Sequence, residues 1–173
     1  LNVAAGMATL GLHTGVITKL PDNDLGRFVA GQLSSSGVSN EGTIYDTSKD
    51  ARLGIYYYES GAYPRKSSVI YDRGGSSFQS IQADEIFGET SLNTRLFHTS
   101  GITLALCENT RAVAIETIKR MKEAGAKISF DVNFRANLWT EEEARATIET
   151  ILPMIDILFV SEETSRKMFQ KTG

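Results

Sequence analysis

The sharpest chemical grouping in the sequence is Asp131-Val132-Asn133-Phe134-Arg135, a carboxylate, an amide and a guanidinium at every second residue. If the chain stays extended to Arg135, a side-chain period of two puts all three on one face. They close residues 128–132, which read as a strand, and open parallel sheets bind ligands beyond the carboxyl ends of their strands. Such a set orients hydroxyls and holds a phosphate or carboxylate through paired hydrogen bonds. A solvated loop with a surface ion pair has the same spacing, and spacing alone leaves both open. Ser100-Gly101-Ile102-Thr103 ends the preceding strand. Gly101 there lets backbone come close to a ligand, although glycine at a strand-to-helix turn is also ordinary turn chemistry.

A second group is aromatic: Tyr56, Tyr57, Tyr58, Tyr71 and Arg73. Alternation puts Tyr56 and Tyr58 on one face and Tyr57 on the other. Tyrosines with an arginine suit a lid over a polar ligand or a dimer interface, and they equally suit packing onto the body. Other chemistries find no support. There is no G-x-G-x-x-G, no G-x-x-x-x-G-K-[ST] and no G-x-S-x-G. His13 and His98 have no second ligand at metal spacing and read as structural. Cys107, among apolar residues, reads as a buried thiol. The residues by themselves describe an α/β protein with an anion or polyol site under a β lid.

These groups need elements to position them. Val3, Met7 and Leu10 share one helical face that Gly11 stops, residues 14–20 read as a strand, and Leu25, Phe28, Val29 and Leu33 give a second helix. Between residues 39 and 77 the character changes. Residues 52–59 and 67–73 are rich in Tyr, Ile and Val around a Gly-Ala-Tyr-Pro turn, which reads as a hairpin standing off the body. After Asp84 strands at 96–99, 128–132 and 155–160 alternate with helices at 108–124, at 141–152 and from Ser161. Ala114, Ile118 and Met121 line the core face of the first of these, with Glu116/Arg120 and Lys119/Glu123 pairs outside. Thr140 to Glu143 is a capping box for the second. This alternation predicts parallel strands with helical crossovers. The expected organisation is an α/β body at residues 1–38 and 78–173 and a β lid at 39–77.

The 173 residues carry 18 Lys and Arg against 21 Asp and Glu, a formal charge of −3. That balance argues against a nucleic-acid partner, which calls for a basic patch. No run reaches the ~18 apolar residues of a membrane helix, and no signal peptide is visible. One cysteine suits a reducing, cytoplasmic setting. The sequence opens inside an apolar pattern without an initiator Met and closes after another helical pattern, so a piece cut from something longer is expected.

Asn2-x-Ala4 with Leu10-Gly11 and Thr14-Gly15, Asp22-x-x-x-Gly26, and Asp131-x-Asn133-x-Arg135-x-x-Leu138-Trp139 together resemble the ribokinase-like (PfkB) carbohydrate kinases. Arg52 to Tyr56, Val69 to Arg73, Phe97 to Thr103 and Phe130 to Arg135 are most similar to the 2-keto-3-deoxygluconate kinases of that family. The resemblance implies a mostly parallel sheet flanked by helices, with a small β lid that makes a homodimer. It implies transfer of the ATP γ-phosphoryl group to the 6-hydroxyl of 2-keto-3-deoxygluconate with Mg²⁺. By motif, Asn2, Tyr56, Tyr71, Arg73 and Ile102 line the sugar-acid pocket, Arg135 lies between substrate and transferring phosphate, and Asn133 is on the nucleotide side. An acidic sugar needs arginine where a neutral ribose or fructose does not; a neutral-sugar kinase and a non-catalytic dimerising ligand-binding fragment are the other readings. The sequence departs from the family pattern at four places, the first being the paired glycines expected just before Asn2, which lie ahead of where this sequence starts. Pro21 stands where glycine is usual, and Ser161-Glu162-Glu163-Thr164 stands at the Asn-x-x-Glu motif, leaving Glu162 and Glu163 as the metal-side candidates. No Gly-Ala-Gly-Asp segment, the source of the general base, is present, so this chain alone is expected not to turn over.

Overall fold

The computed structural model describes residues 1–87 and 93–169. Two units divide the chain, Leu1–Ile81 and Gln82–Gly173. In the first, helix α1 (Asn2–Thr9) runs out at Gly11, whose φ of 83° is the left-handed turn that favours glycine. Strand β1 (Thr18–Pro21) pairs in parallel with β2 (Thr43–Asp46), and helix α2 (Asp24–Ser35) connects them. The Asn23 side chain caps α2 by accepting from the Leu25 and Gly26 amides, both at 3.1 Å.

The buried face of α2 is not the one its large residues suggest. Gly26, Ala30 and Leu33 are buried, whereas Leu25 and Phe28 are 52% and 63% exposed. The reason is the closeness of the packing: a Cβ on Gly26 would lie 1.9 Å from the Pro21 carbonyl oxygen. Only small residues allow that approach, so they set the rotation of the helix. Strand β2 lies inside the stretch read as part of an insertion and was not expected. The hairpin itself is as expected: β3 (Ile55–Glu59) pairs antiparallel with β4 (Ser68–Asp72), placing Tyr56 opposite Tyr71 and Tyr57 opposite Ile70.

The second unit contains α3 (Ala83–Phe87), β5 (Leu96–Ser100), α4 (Gly101–Ala105), α5 (Glu108–Glu123), β6 (Lys127–Asp131), α6 (Glu141–Ile151), β7 (Ile157–Phe159) and α7 (Glu162–Phe169). Its three strands are parallel in the order β5-β6-β7, the arrangement that strand–helix alternation predicts. Ile128 and Phe130 of β6, with Leu104, Ile118, Ile148 and Ile151, are wholly excluded from solvent. On α5, Ala114, Ile118 and Met121 are buried and Arg120 pairs with Glu116 at 2.7 Å. Thr140 and Glu143 form the capping box of α6. Cys107 departs from expectation: it is half-buried and serves as the N-cap of α5, its sulfur accepting from the Thr110 amide at 3.5 Å. Residues 171–173, part of the pattern on which the C-terminal cut was read, lie outside the described residues. Among the described residues no helix is long and apolar enough to cross a membrane.

Candidate functional site

Ser100, Asp131 and Phe159 stand in register at the carboxyl ends of β5, β6 and β7. The extended form does not reach Arg135. Val132 still donates to the Phe159 carbonyl at 2.9 Å, but Asn133 then takes a φ of 36°. Non-glycine residues rarely enter that left-handed region, and asparagine does so more readily than most. The alternation that would put Asp131, Asn133 and Arg135 on one face is therefore broken at Asn133. Asp131 turns part of its carboxylate to the backbone, its Oδ1 accepting from the Asn133 amide at 3.1 Å. Arg135 lies beyond the turn, exposed, and no described carboxylate pairs with its guanidinium. Its carbonyl accepts from the Leu138 amide at 2.9 Å, closing a second turn.

Two residues frame this segment. A Cβ on Gly101 would lie 2.1 Å from the Val132 carbonyl oxygen and 3.6 Å from Cζ2 of Trp139. Glycine at the start of α4 is thus a packing requirement of the turn, beside half-buried Ile102. Trp139 is 6% exposed, and its Nε1 has no hydrogen-bond partner among the described residues. The residue types alone did not single it out, although it is the one tryptophan in the sequence. On the same sheet, His98 Nδ1 lies 3.0 Å from Ser129 Oγ, and the Phe159 ring meets the imidazole edge-on at 6.5 Å. Burial holds the His98 pKa below its usual value, against the opposing pull of the Asp131 charge.

The hairpin brings its own group together. Tyr56 and Tyr71 are cross-strand partners with ring centroids 6.3 Å apart at 45°. The Arg73 guanidinium carbon sits 4.1 Å from the centre of the Tyr71 ring, a cation–π distance. Gly54 leaves the room: a Cβ there would lie 3.0 Å from that of Arg73. The neighbouring arginines are neutralised, Arg52 by Asp72 at 2.7 Å and Arg65 by Glu59. No described carboxylate is within ion-pair distance of Arg73, whose half-buried guanidinium lies on a phenol ring.

Asn2 opens α1 and is exposed. Asn2, Tyr56, Tyr71 and Arg73 belong to the first unit; Ile102, Asn133, Arg135, Glu162 and Glu163 belong to the second. Glu163 lines a cleft with Phe134, Glu141, Thr164, Lys167 and Met168. Its carboxylate accepts from Lys167 Nζ at 2.7 Å, which holds its pKa below the usual range and raises that of Lys167. Glu162 is exposed. Among the described residues no three His, Cys, Asp or Glu side chains gather as a metal site.

The sequence profile described as pfkB family carbohydrate kinase matches residues 1–173. The 2-dehydro-3-deoxygalactonokinase of Haloferax volcanii is 37% identical over 172 residues, 99% of this chain and 53% of its own length. Fructokinase-1 of Zea mays is 33% identical over 162 residues, 93% of this chain and 49% of its own. The crystal structure of 2-dehydro-3-deoxygluconokinase from Thermotoga maritima superposes with a TM-score of 0.89 at 35% identity, over 99% of this chain and 52% of that one. The chain thus spans about half the length of the relatives it matches.

Proposed function

Because the chain belongs to the pfkB family of carbohydrate kinases, we propose that it carries the sugar-acid-binding part of a cytoplasmic kinase for a 2-keto-3-deoxy sugar acid. The reaction is transfer of the ATP γ-phosphoryl group to the 6-hydroxyl of 2-keto-3-deoxygluconate. The observation that carries the acid reading is Arg73, laid on Tyr71 with no described carboxylate to neutralise it. A guanidinium so placed takes a carboxylate through two hydrogen bonds, and the Tyr56 and Tyr71 hydroxyls are donors and acceptors for the sugar. The sugar-acid kinases of Haloferax volcanii and Thermotoga maritima among its relatives support the same class.

Phosphoryl transfer needs positioning and cationic stabilisation more than covalent help. In this reading Asn2 and Ile102 complete the sugar side, Arg135 takes the charge that spreads over the transferring phosphoryl oxygens, and Asn133 faces the nucleotide. Residues 39–77 act as the lid, and the hairpin's other face, with exposed Tyr57 and Ile70, joins a second copy in a homodimer. Mg²⁺, bound with the nucleotide phosphates and water, would neutralise the phosphate charge. Glu162 and Glu163 remain its nearest candidates; Glu163 is engaged by Lys167, and no step is assigned to either. No residue of this chain is assigned the proton of the 6-hydroxyl.

The maize fructokinase favours a second reading, a neutral-sugar kinase. One experiment decides between them: kcat/KM of the full-length enzyme and its Arg73→Ala variant on 2-keto-3-deoxygluconate and on fructose. A hydrogen bond to a charged group contributes about 1.5–3 kcal/mol, or a loss of roughly 10- to 150-fold on the acid, with less than about 3-fold on fructose. An equal loss on both sugars removes the carboxylate role of Arg73.

A further inference from the structure

The turn that carries Asn133 and Arg135 is held in a backbone conformation that most residues avoid. A non-glycine residue at a φ of 36° persists only where its surroundings over-determine it. The hold at the strand end is visible. Val132 is 1% exposed, its amide donates to the Phe159 carbonyl, and its own carbonyl lies against Gly101. The hold at the other end is Trp139. The six-membered part of its indole reaches the Gly101–Val132 contact, with Cζ2 3.6 Å from the position of a Gly101 Cβ. Above the ring the Arg111 guanidinium sits 5.7 Å from the centroid, and Arg111 Nε donates to the Leu104 carbonyl at 3.0 Å. Trp139 is therefore wedged among the start of α4, the end of β6 and the α5 arginine, one residue before the Thr140 cap of α6.

The chemistry of the indole sharpens this. Its Nε1–H is buried and has no partner among the described residues, which costs stability that a phenylalanine in the same place would not. A phenylalanine lacks the fused second ring and does not reach the Gly101–Val132 contact. The group that is costly to bury and the group that makes the reach belong to one side chain.

We propose that Trp139 is a positioning residue for Arg135: its indole, wedged against Gly101 and Val132, fixes the turn between Val132 and Trp139 and so aims the Arg135 guanidinium at the transferring phosphoryl group. The inference rests on the reading of Arg135 as the phosphate-side cation. Trp139 touches neither substrate nor nucleotide in this scheme and acts through Arg135.

The test is a double-mutant cycle in the full-length kinase, with Trp139→Leu, Trp139→Phe, Arg135→Ala and the double variants, read as kcat, sugar KM and Tm. Misplacing a catalytic group by about an ångström costs up to ~100-fold in rate. Trp139→Leu is expected to lower kcat by roughly 10- to 100-fold, and Trp139→Phe by about 5-fold, with the sugar KM within about 3-fold of the parent. On the Arg135→Ala background the same changes should lower kcat by less than about 3-fold, because neighbours that act as one unit are not additive. Trp139→Phe keeps the test open if the leucine variant does not fold. Additive losses, or a lower Tm with kcat unchanged in both Trp139 variants, overturn the positioning role while leaving Arg135 in place. If Arg135→Ala itself leaves kcat unchanged, the reading of Arg135 fails and the role of Trp139 fails with it.

Discussion

Replacing Gly101 by alanine puts a methyl group where the structure has backbone. The added Cβ would lie 2.1 Å from the Val132 carbonyl oxygen, against about 3.3 Å for an ordinary carbon–oxygen contact. Something must therefore move by roughly 1.2 Å. No flexible side chain is available to give way: Val132 is pinned through its amide to Phe159, and Leu104 of the same short helix is wholly buried. Overpacking of a core costs about 1–3 kcal/mol, and backbone against backbone belongs at the upper end. Alanine recovers up to about 1 kcal/mol of helix propensity, which leaves a net loss of roughly 2 kcal/mol. For a chain of this size each kcal/mol moves Tm by about 2–4 °C, so the variant should melt roughly 4–8 °C lower. Gly31→Ala is the control. It lies within α2, a Cβ there meets nothing within 4 Å, and it should stabilise by about 0.5–1 kcal/mol. Thermal melts of the chain and both variants make the comparison. A Gly101→Ala Tm at or above that of the parent would refute the steric argument, and a Gly31→Ala loss would refute the propensity argument.

Two further expectations concern charge and association. Burial lowers the folded-state pKa of His98 below its ordinary 6.5, so the unfolded chain takes up that proton first. The stabilisation from keeping His98 neutral is complete above pH 6.5 and is lost as pH falls from there towards the folded pKa. Tm should drop across that window in the parent and flatten in His98→Gln; an unchanged slope in the variant would assign the drop to another group. On the hairpin, Ile70 and Tyr57 form an exposed apolar cross-strand pair, 66% and 58% accessible. In the proposed homodimer through this face, Ile70→Glu should shift sedimentation of the full-length kinase towards monomer; a parent that sediments as a monomer, or a dimer of unchanged concentration dependence in the variant, would overturn that interface.

Legibility in the sequence followed how local each determinant is. Helices α5 and α6 could be read because their burial repeats at helical spacing and their ends carry explicit chemistry, Thr140 with Glu143 in one case. The hairpin could be read because β-branched and aromatic runs flank a turn. Helix α2 is legible from its apolar spacing but its buried face is not, since the contact that orients it is between Gly26 and the Pro21 carbonyl. A glycine adds nothing to a hydrophobic pattern, although here it decides which face is buried. Strand β2 escaped notice because four residues, Thr43 to Asp46, carry too little alternation to stand out from a loop. Cys107 looked like a core thiol because its neighbours are apolar; its role as a helix cap depends on the Thr110 amide three residues on.

At the candidate site the residue types were legible and the conformation was not. Asp131, Asn133 and Arg135 were found by their spacing, but that spacing has a directional meaning only in an extended chain, and the chain leaves that form at Asn133. The consequence alters the chemistry assigned to the group. Asp131 gives one carboxylate oxygen to the Asn133 amide, while Arg135 is carried past the turn into an exposed position without an acidic partner among the described residues. In the proposed role of Arg135, a carboxylate beside the guanidinium would neutralise it and weaken its hold on a phosphoryl group. Engaging one Asp131 oxygen with the backbone stabilises the turn, and the break in the extended form at Asn133 removes the shared face on which that carboxylate and Arg135 would have stood.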